Sequence, residues 1–431
     1  MKRKYLVPGA ALAVALATGP ASATELADAT GAYLLNTLFL LICGALVMFM
    51  AAGFAMLEAG SVRNRSVTAV CAKNVALYAV AGVVFYLFGY QAMYGESLSG
   101  LIGIPGIWHA DDAAALSGAD LSGHASGADW FFQMVFVATA ASVVSGALAE
   151  RVRFWAFVAS TVVLAAVIYP AVGHWTWGGG WLASLGFADF AGSTIVHSVG
   201  GWVALTGIVI LGPRLGRFGP TGQPLALAPS SLPYVTLGTF ILWLGWFGFN
   251  GGSQLSFSTV EDAVAVSNIF VNTNAAAAAG VLAMAIVSFA RSGKMDLPLM
   301  LNGALAGLVS ITAEPAAPGM ASSMAIGAVG ALAMLGATRL LEGLGLDDAV
   351  GAIPVHLAAG AWGTIAVAFS NPDASLAVQA LGVVAVGGFA ATVSWVVWTV
   401  IDGLMGAGLP REQQKDGCDL TEFGMPAYKF D

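Results

Sequence analysis

Two histidines lie inside apolar stretches of the chain and share a local pattern. His197 stands in "VHSVGGW" and His356 in "VHLAAGAW", each with Val before it, Gly four residues after it and Trp one or two residues further on. An imidazole exchanges a proton near neutral pH, and ionisable side chains within a membrane span usually serve a function. One such histidine alone is more often a core residue satisfied by a neighbour. The matched pair favours two partners that face each other and handle protons.

Asp189 precedes His197 by eight residues in "DFAGSTIVH". Its carboxylate could accept backbone N–H groups at the start of a helix, as an N-cap does. It could equally act as a buried anion that raises the local affinity for a cation. Both roles stay open at this point, and one carboxylate could perform both.

The composition indicates an all-α polytopic membrane protein. The 431 residues are 58% apolar and 9% charged, with a mean hydropathy of +0.82, whereas soluble domains carry about 25% charged residues. Long continuous apolar runs exclude the alternating pattern of a transmembrane barrel. The three scattered cysteines predict neither a disulfide framework nor a metal motif. The sequence shows no glycine-rich nucleotide-binding motif and no soluble domain that could bind ATP. We expect no enzyme activity, and no catalytic residues, cofactor, metal or nucleic-acid partner.

Hydropathy over windows of about 20 residues divides the chain into three parts. Residues 1–23 read as a cleaved signal peptide, with Lys2, Arg3 and Lys4 before a short apolar stretch and Ala-Ser-Ala at its end. Residues 24–402 form the transmembrane domain and 403–431 a polar tail. Eleven spans are predicted at 33–57, 68–94, 129–148, 154–173, 193–212, 233–250, 265–290, 298–312, 320–341, 350–370 and 376–405.

The basic residues predict the direction of these spans. Every second connection carries Lys or Arg, the first of them Arg63, Arg65 and Lys73, and the alternate connections carry none. The positive-inside rule then places the N-terminus outside and the C-terminus in the cytoplasm. Because His197 and His356 fall in spans five and ten, spans 1–5 and 6–10 read as an inverted repeat followed by a final span, with the path between the halves.

Five motifs in chain order resemble the ammonium transporters, the Amt/Mep/Rh family, over essentially the whole mature chain. They are "SGALAERVRF" (145–154), "WTWGGGWL" (175–182), "DFAGSTIVH" (189–197), "FILWLGWFGFNGGS" (240–253) and "DDAVGAIPVH" (347–356). The resemblance implies a homotrimer in the bacterial inner membrane with one pore per subunit, used for nitrogen uptake. It also implies ammonium or ammonia as substrate, methylammonium as an analogue, and a PII-type signal protein on the cytoplasmic face.

The resemblance also implies residue roles. Trp177, Ser253, Phe136 and Asp189 match the external recruitment site, Phe136 and Phe249 a gate of two stacked rings, and His197 and His356 the twin histidines of the pore. An aromatic face, a hydroxyl and a carboxylate suit a compact cation with four N–H donors. Taken singly, Trp177 could be an interfacial anchor and the phenylalanines plain core packing.

These residues lead to one hypothesis of transport and two alternatives. Recruited ammonium is deprotonated, ammonia passes the histidines, and the proton follows by a separate relay, because an ion in a narrow apolar pore is strongly disfavoured. The first alternative is an ammonium sensor that acts through a cytoplasmic partner without significant flux. The second is a channel for another small solute, such as water or an alkylamine.

Two further features carry expectations of their own. Glu58 in "MLEAG" departs from some members of the family, and we expect a structural carboxylate paired with Arg63 or Arg65. The tail alternates Phe423, Met425 and Tyr428 with polar residues, which predicts docking against the protein's own cytoplasmic face and a regulatory role, the alternative being a disordered end.

Overall fold

The computed structural model describes residues 23–428, with side chains from residue 27 onward, and this part of the chain is mostly helical. The predicted signal peptide, residues 1–23, lies outside it apart from Ala23. Eleven apolar helices follow one another in the chain: α1 (Ala23–Ser61), α2 (Asn64–Tyr94), α3 (Ser126–Ala147), α4 (Phe154–Ser184), α5 (Ser193–Leu211), α6 (Leu232–Gly252), α7 (Val260–Ser292), α8 (Leu297–Ile311), α9 (Met320–Gly343), α10 (Pro354–Ser370) and α11 (Leu376–Met405). Two short tail helices complete the order, α12 (Arg411–Asp416) and α13 (Cys418–Phe423).

Nine of these helices in the described residues are long and apolar enough to cross a membrane. The other two, α8 with 15 residues and α10 over 354–370, coincide with predicted spans eight and ten but reach only about 22–26 Å at 1.5 Å per residue. The predicted count of eleven crossings and the predicted orientation therefore remain predictions. Long apolar side chains on the outer helices are exposed, among them Leu38, Ile286 and Val384, as expected for surfaces that face lipid rather than water.

The same pairs of helices pack together in both halves of the chain. α2 contacts α3 and α4, as α7 contacts α8 and α9, and the two leading helices α1 and α6 form the most extensive pair of all. Glycines permit that closeness, since a Cβ on Gly238 of α6 would lie 2.4 Å from the backbone nitrogen of Leu57 on α1. Small residues of this kind let helix backbones approach in lipid, where little hydrophobic force drives association.

The loop between α2 and α3 has little regular structure. It contains two-residue strands, β1 (Ser97–Leu98) and β2 (Ile102–Gly103), paired antiparallel with Ser97 opposite Gly103, and a four-residue helix, Ala113–Leu116. His174 on α4 contacts both this loop and the end of α2, with Nε2 2.8 Å from Ser97 Oγ and Nδ1 2.8 Å from the Met93 carbonyl oxygen.

The tail folds back onto the helix ends, as predicted for two of its three apolar residues. Phe423 packs edge-on against Phe154 with ring centroids 5.5 Å apart, and Tyr428 joins a small buried cluster. Met425 is 56% exposed, so the prediction was wrong there, because α13 ends at Phe423 and the left-handed conformation of Gly424, with φ of 66°, interrupts the helical spacing before Met425. Polar contacts fix the same segment, since the buried Asp419 carboxylate accepts the Ala69 N–H at 2.8 Å.

A buried ionic cluster joins the loops on the tail side of the bundle. Arg214 donates from Nε and Nη2 to the two oxygens of Asp347 at 2.8 and 2.9 Å, and from Nη1 to Glu150 at 2.8 Å. Glu150 also pairs with Arg63. Although burial works in the opposite direction, the hydrogen bonds and charge of Arg214 lower the pKa of Asp347 to about 2. These loops are thus locked to one another, which holds the ends of α1, α5 and α10 nearest the tail in a fixed arrangement.

Candidate functional site

The two predicted histidines meet in the centre of the protein. His356 Nδ1 lies 3.1 Å from His197 Nδ1, and the two rings are near-parallel at 25° with centroids 5.1 Å apart. His197 is fully buried and His356 is 3% exposed. A neutral pair bonded in this way needs one Nδ1–H donor and one Nδ1 acceptor, so one Nε2 is left as an acceptor and the other as a donor. The Nε2 of His197 has no hydrogen-bond partner within the described residues.

Both histidines lie in a π-helical turn at the start of their helix. The turns run from Ser193 to Ser198 and from Pro354 to Ala358. A π turn is rare and commonly occurs at functional sites. It widens the helix by one residue per turn and so displaces the side chains it carries from the regular α-helical position. Two further π turns, Phe85–Gly89 and Leu164–Ile168, lie in the first half of the chain only, whereas the turn that carries the histidine occurs at the same point of both halves.

The sequence pattern shared by the two halves extends further upstream than the Val-His pair. "DFAGSTIVH" and "DAVGAIPVH" both read Asp-x-x-Gly-x-x-x-Val-His, which makes Asp348 the counterpart of Asp189. Both glycines have positive φ, 103° at Gly192 and 82° at Gly351, a conformation that side chains with a Cβ rarely adopt. Sequence reasoning missed Asp348, although comparing the eight residues before each histidine would have found it.

The Asp189 carboxylate caps the backbone N–H groups at the start of a helix, which is one of the two roles predicted for it. Its Oδ1 accepts the Ser193 N–H at 2.7 Å, and its Oδ2 accepts those of Thr194 and Ile195, both at 2.9 Å. Asp348 repeats the arrangement, accepting N–H groups from Gly351 at 2.9 Å and Ile353 at 2.6 Å. Each carboxylate therefore satisfies backbone donors that a helix start leaves free.

Burial dominates the electrostatics of both carboxylates. It raises the pKa of Asp189 to about 6 although the backbone N–H groups act to lower it, and it raises the pKa of Asp348 in the same way. Asp189 is 2% exposed. It is therefore a charge that the protein keeps out of water at neutral pH.

Trp177 connects Asp189 to a column of rings. Its indole N–H donates to the Asp189 carbonyl oxygen at 2.9 Å, and its ring meets the edge of Phe136 at 6.3 Å between centroids. Phe136 stacks on Phe249 at 3.9 Å and 20°. Phe249 in turn stacks on His197 at 5.3 Å. The two phenylalanines thus stand between Trp177 and the histidines, where the resemblance placed a gate.

Ser253 ends the helix that carries Phe249. Its hydroxyl donates to the Phe249 carbonyl oxygen at 2.9 Å, so the lone pairs of its Oγ remain available to accept a hydrogen bond. The side chain is 8% exposed, which suits a group that lies at the margin of a buried site.

Sequence reasoning missed two aromatic residues of this column. Trp246 stacks on His197 at 5.0 Å and 20°, and its indole N–H is fixed on Thr312 Oγ1 at 2.8 Å. Phe54 of α1 follows His356 at 6.2 Å. Phe54 belongs to none of the five motifs, whereas Trp246 lies within the motif at 240–253 and stands three residues before Phe249, on the same face of α6.

Glu58 lies beyond Phe54, and the prediction of its partner was wrong. Arg63 pairs with Glu150 instead, and Arg65 Nη1 donates to the Lys415 carbonyl oxygen at 2.8 Å. The Ser145 hydroxyl donates a hydrogen bond to Oε2 of the Glu58 carboxylate at 2.8 Å. Lys73, which the sequence placed in the connection, lies inside α2 with 3% exposure and donates to the Ser145 carbonyl oxygen at 2.9 Å. Ser145 therefore bridges a buried cation and a buried anion.

Comparison with known proteins places the chain in one family. The model of the Ammonium Transporter Family matches residues 38–428. The chain is 40% identical over 418 residues to Ammonium transporter Amt2 of Archaeoglobus fulgidus, covering 90% of this chain and 87% of that protein.

Solved structures agree with that placement. A protein described as Sensor Amt Protein superposes with a TM-score of 0.84 at 33% identity, covering 91% of this chain and 98% of that one. Mep2 of Candida albicans superposes with a TM-score of 0.78 at 26% identity, covering 88% and 87% of the two chains.

Proposed function

Because this chain belongs to the ammonium transporter family, we propose that it carries ammonium across a membrane along the column of rings from Trp177 to Phe54. The observation that carries the proposal is the pair of buried histidines, whose Nδ1 atoms are 3.1 Å apart below two stacked phenylalanines. The relatives are transporters rather than enzymes, and the buried groups suit proton exchange without covalent chemistry.

Recruitment takes place at Trp177. The face of an indole attracts a cation, and the Ser253 oxygen accepts one of the N–H bonds of ammonium. Asp189 contributes charge rather than a direct ligand, because backbone N–H groups already occupy both of its oxygens. Its carbonyl oxygen holds the Trp177 indole in place at 2.9 Å, so one residue both orients the aromatic face and supplies the field.

The stacked pair of Phe136 and Phe249 acts as the gate. With centroids 3.9 Å apart, the rings leave no room for a hydrated ion until one of them turns. A dry constriction of this kind excludes hydrated sodium and potassium. It also makes charge unfavourable below the gate, so ammonium loses a proton there.

The histidine pair provides for ammonia and the proton separately. Ammonia both donates and accepts hydrogen bonds, and the pair offers it one Nε2 donor and one Nε2 acceptor. When one ring takes up a proton at its bare Nε2, the shared proton moves to the Nδ1 of the other ring, and that ring releases its own Nε2 proton, so the roles are exchanged and both rings stay neutral. The titration therefore belongs to the pair rather than to either ring. A proton can thus pass along the histidines while neutral ammonia crosses them.

The family and the matched halves support a proposal for the larger arrangement. We propose eleven spans with the N-terminus outside, an inverted repeat of spans 1–5 and 6–10, a homotrimer in the bacterial inner membrane, and a cytoplasmic tail to which a PII-type protein responds. Support comes from the repeated Asp-x-x-Gly-x-x-x-Val-His pattern, the repeated π turns and the docked tail.

Purified protein in liposomes tests the proposal. Ammonium should evoke a current together with a change of internal pH, whereas equal concentrations of sodium or potassium should evoke neither. His197→Ala and His356→Ala should abolish ammonium-selective transport. Unchanged ammonium flux with potassium still excluded in either variant would refute the role of the pair, and a silent wild-type protein would refute transport itself.

A sensor is the second candidate, and one observation favours it. A solved protein described as a sensor matches this chain over 98% of its own length. A sensor would bind ammonium at Trp177 without useful flux and would signal through the docked tail. Ammonium-dependent protection of the tail from proteolysis, in a protein silent in liposomes, would support this candidate over transport.

A further inference from the structure

The column of rings ends at a small cavity on the far side of the histidines. His356, Phe54 and Glu58 line it together, with Asn302 and Ser142 among the other lining residues. Its volume of about 20 Å³ is enough for about one water molecule. A carboxylate and an imidazole therefore border the same space at the inner end of the path.

The Glu58 carboxylate has one oxygen engaged and one unpartnered. Oε2 accepts from Ser145, whereas Oε1 has no hydrogen-bond partner among the described residues, although the Asn74 side chain lies close enough to influence it. The residue is fully buried. A buried unpartnered carboxylate oxygen is unfavourable in a structural role, because its lost hydration is not replaced.

The charges around Glu58 come from two other helices. On α2, Lys73 lies within electrostatic range and is linked to Glu58 through Ser145, and the half-buried Cys71 thiol is also within range. On α10, His356 borders the cavity. Lys73 stabilises Glu58 in its ionised form, and a proton arriving from the histidine side makes the site neutral apart from Lys73. The surroundings of Glu58 can therefore accommodate both its ionised and its protonated form.

Resting on the proposed function, we propose that Glu58 is the inner terminus of the proton path and returns the proton to ammonia. The proton removed from recruited ammonium passes the histidines and the cavity and forms an O–H bond on Oε1. Ammonia leaving His356 then takes it up: the O–H bond breaks, an N–H bond forms, and the products are ammonium and the Glu58 carboxylate. One proton and one ammonia are consumed and one ammonium is released, so the step balances without another reactant.

The spacing of α1 supports this placement. Phe54 and Glu58 are four residues apart and so lie on the same helix face, the one that meets His356. The column therefore leads from the histidines to the carboxylate along one side of α1. Asp189 at one end and Glu58 at the other are then the buried anions that flank a path of rings.

Two signals recorded from full-length protein in liposomes test the role. One is the ammonium-evoked current, which requires the proton to cross, and the other is internal alkalinisation, which requires only ammonia to cross. In Glu58→Gln the current should fall about a hundredfold or more, the contribution typical of a positioned acid–base group, while alkalinisation persists. Glu261→Gln, which removes an exposed carboxylate, should change neither signal.

A double variant separates loss of the proton path from loss of folding stability. Glu58→Gln leaves Lys73 buried without its counter-charge, which is destabilising, so Glu58→Gln with Lys73→Met restores the charge balance. The double variant should have a melting temperature near wild type and should still lack the current. Recovery of the current would mean that Glu58 only neutralises Lys73, and would overturn the proposal.

Two other results would also overturn it. One is an undiminished current in Glu58→Gln, with the proposed function intact. The other is loss of both signals in the folded double variant, which would make Glu58 a support of the whole path. A wild-type protein without any ammonium-evoked signal would instead refute transport, so failure of the two proposals is distinguishable.

Discussion

Replacing Asp189 by Asn separates the two roles that the sequence left open, because the energetic consequences of each follow from the structure. The carboxylate binds three backbone N–H groups. An amide in its place can still accept from Thr194 and Ile195 through its one oxygen, but its NH₂ group then faces the Ser193 N–H. The buried Ser193 N–H then has no hydrogen-bond acceptor, which costs about 1–3 kcal/mol.

Loss of the charge acts in the opposite direction. The pKa of Asp189 is raised by burial from 3.8 to about 6, so folding disfavours the ionised form relative to the unfolded chain. Stability linked to this group is therefore greatest below about pH 4 and is lost as the pH rises through about 6, a total of about 3 kcal/mol. Asn carries no charge and avoids that cost at neutral pH. The two terms nearly cancel, and Asp189→Asn should melt close to wild type.

Transport should respond very differently. If the bound cation is taken to lie about 8 Å from the carboxylate, a unit charge contributes about 2 kcal/mol at an effective dielectric constant of about 20, so half-saturation for ammonium should rise about thirtyfold. In the wild type, affinity should also weaken as the pH falls below about 6, because the carboxylate then takes up a proton while ammonium stays a cation. Asp189→Asn should lose this pH dependence.

Asp348→Asn is the matched control in this experiment, since Asp348 binds helix N–H groups in the same way in the other half of the chain. The assay is ammonium-evoked current at several external concentrations and at pH 5 to 8, together with thermal unfolding in detergent. If only capping mattered, both variants would melt early and show the same transport loss. That outcome would refute the reasoning that Asp189 acts through its charge.

Three more predictions follow from the same contacts. Trp177→Leu should raise half-saturation for ammonium while sodium and potassium remain excluded, because it removes the aromatic face but leaves the gate; unchanged half-saturation would count against recruitment at this residue. Phe249→Ala opens the stack with Phe136 at its 3.9 Å contact and should admit potassium, measured as a potassium-evoked current, whereas a variant that still excluded potassium would assign selectivity elsewhere. In the buried ionic cluster, Asp347→Leu removes the bidentate partner of Arg214 and leaves that guanidinium with Glu150 alone, which should cost about 3–5 kcal/mol of stability. Adding Arg214→Met should recover much of that loss in thermal unfolding; equal loss in the double variant would mean that the pair itself is net stabilising.

The histidine pair shows how far sequence reasoning reached into the site. His197 and His356 could be paired because identical neighbours at identical spacing mark equivalent positions, and equivalent positions in two halves meet at their interface. Their contact at 3.1 Å agrees with that expectation. Asp348 is equally readable from the sequence, because Asp189 and Asp348 each stand eight residues before their histidine.

Glu58 and Lys73 show what the sequence could not supply. Arginines five and seven residues away looked like natural partners for Glu58, but α1 ends at Ser61 and the chain turns, so Arg63 points to Glu150 instead. Lys73 is buried inside α2 because Ser145 of another helix offers it a carbonyl oxygen. Both outcomes depend on which helices pack together, and hydropathy does not encode that.

The positions of the ionisable groups along the column explain why a path through lipid keeps them at all. Moving an ion into a dry interior costs several kcal/mol even after relaxation, whereas removing a proton from a group whose pKa is about two units above the ambient pH costs about 3 kcal/mol. Splitting ammonium into ammonia and a proton is therefore the less costly route past Phe136 and Phe249. That route requires a charge that attracts the cation before the rings and a base that returns the proton after them. In the mechanism proposed above, Asp189 and Glu58 are the buried carboxylates at those two places, and the histidines between them relay the proton.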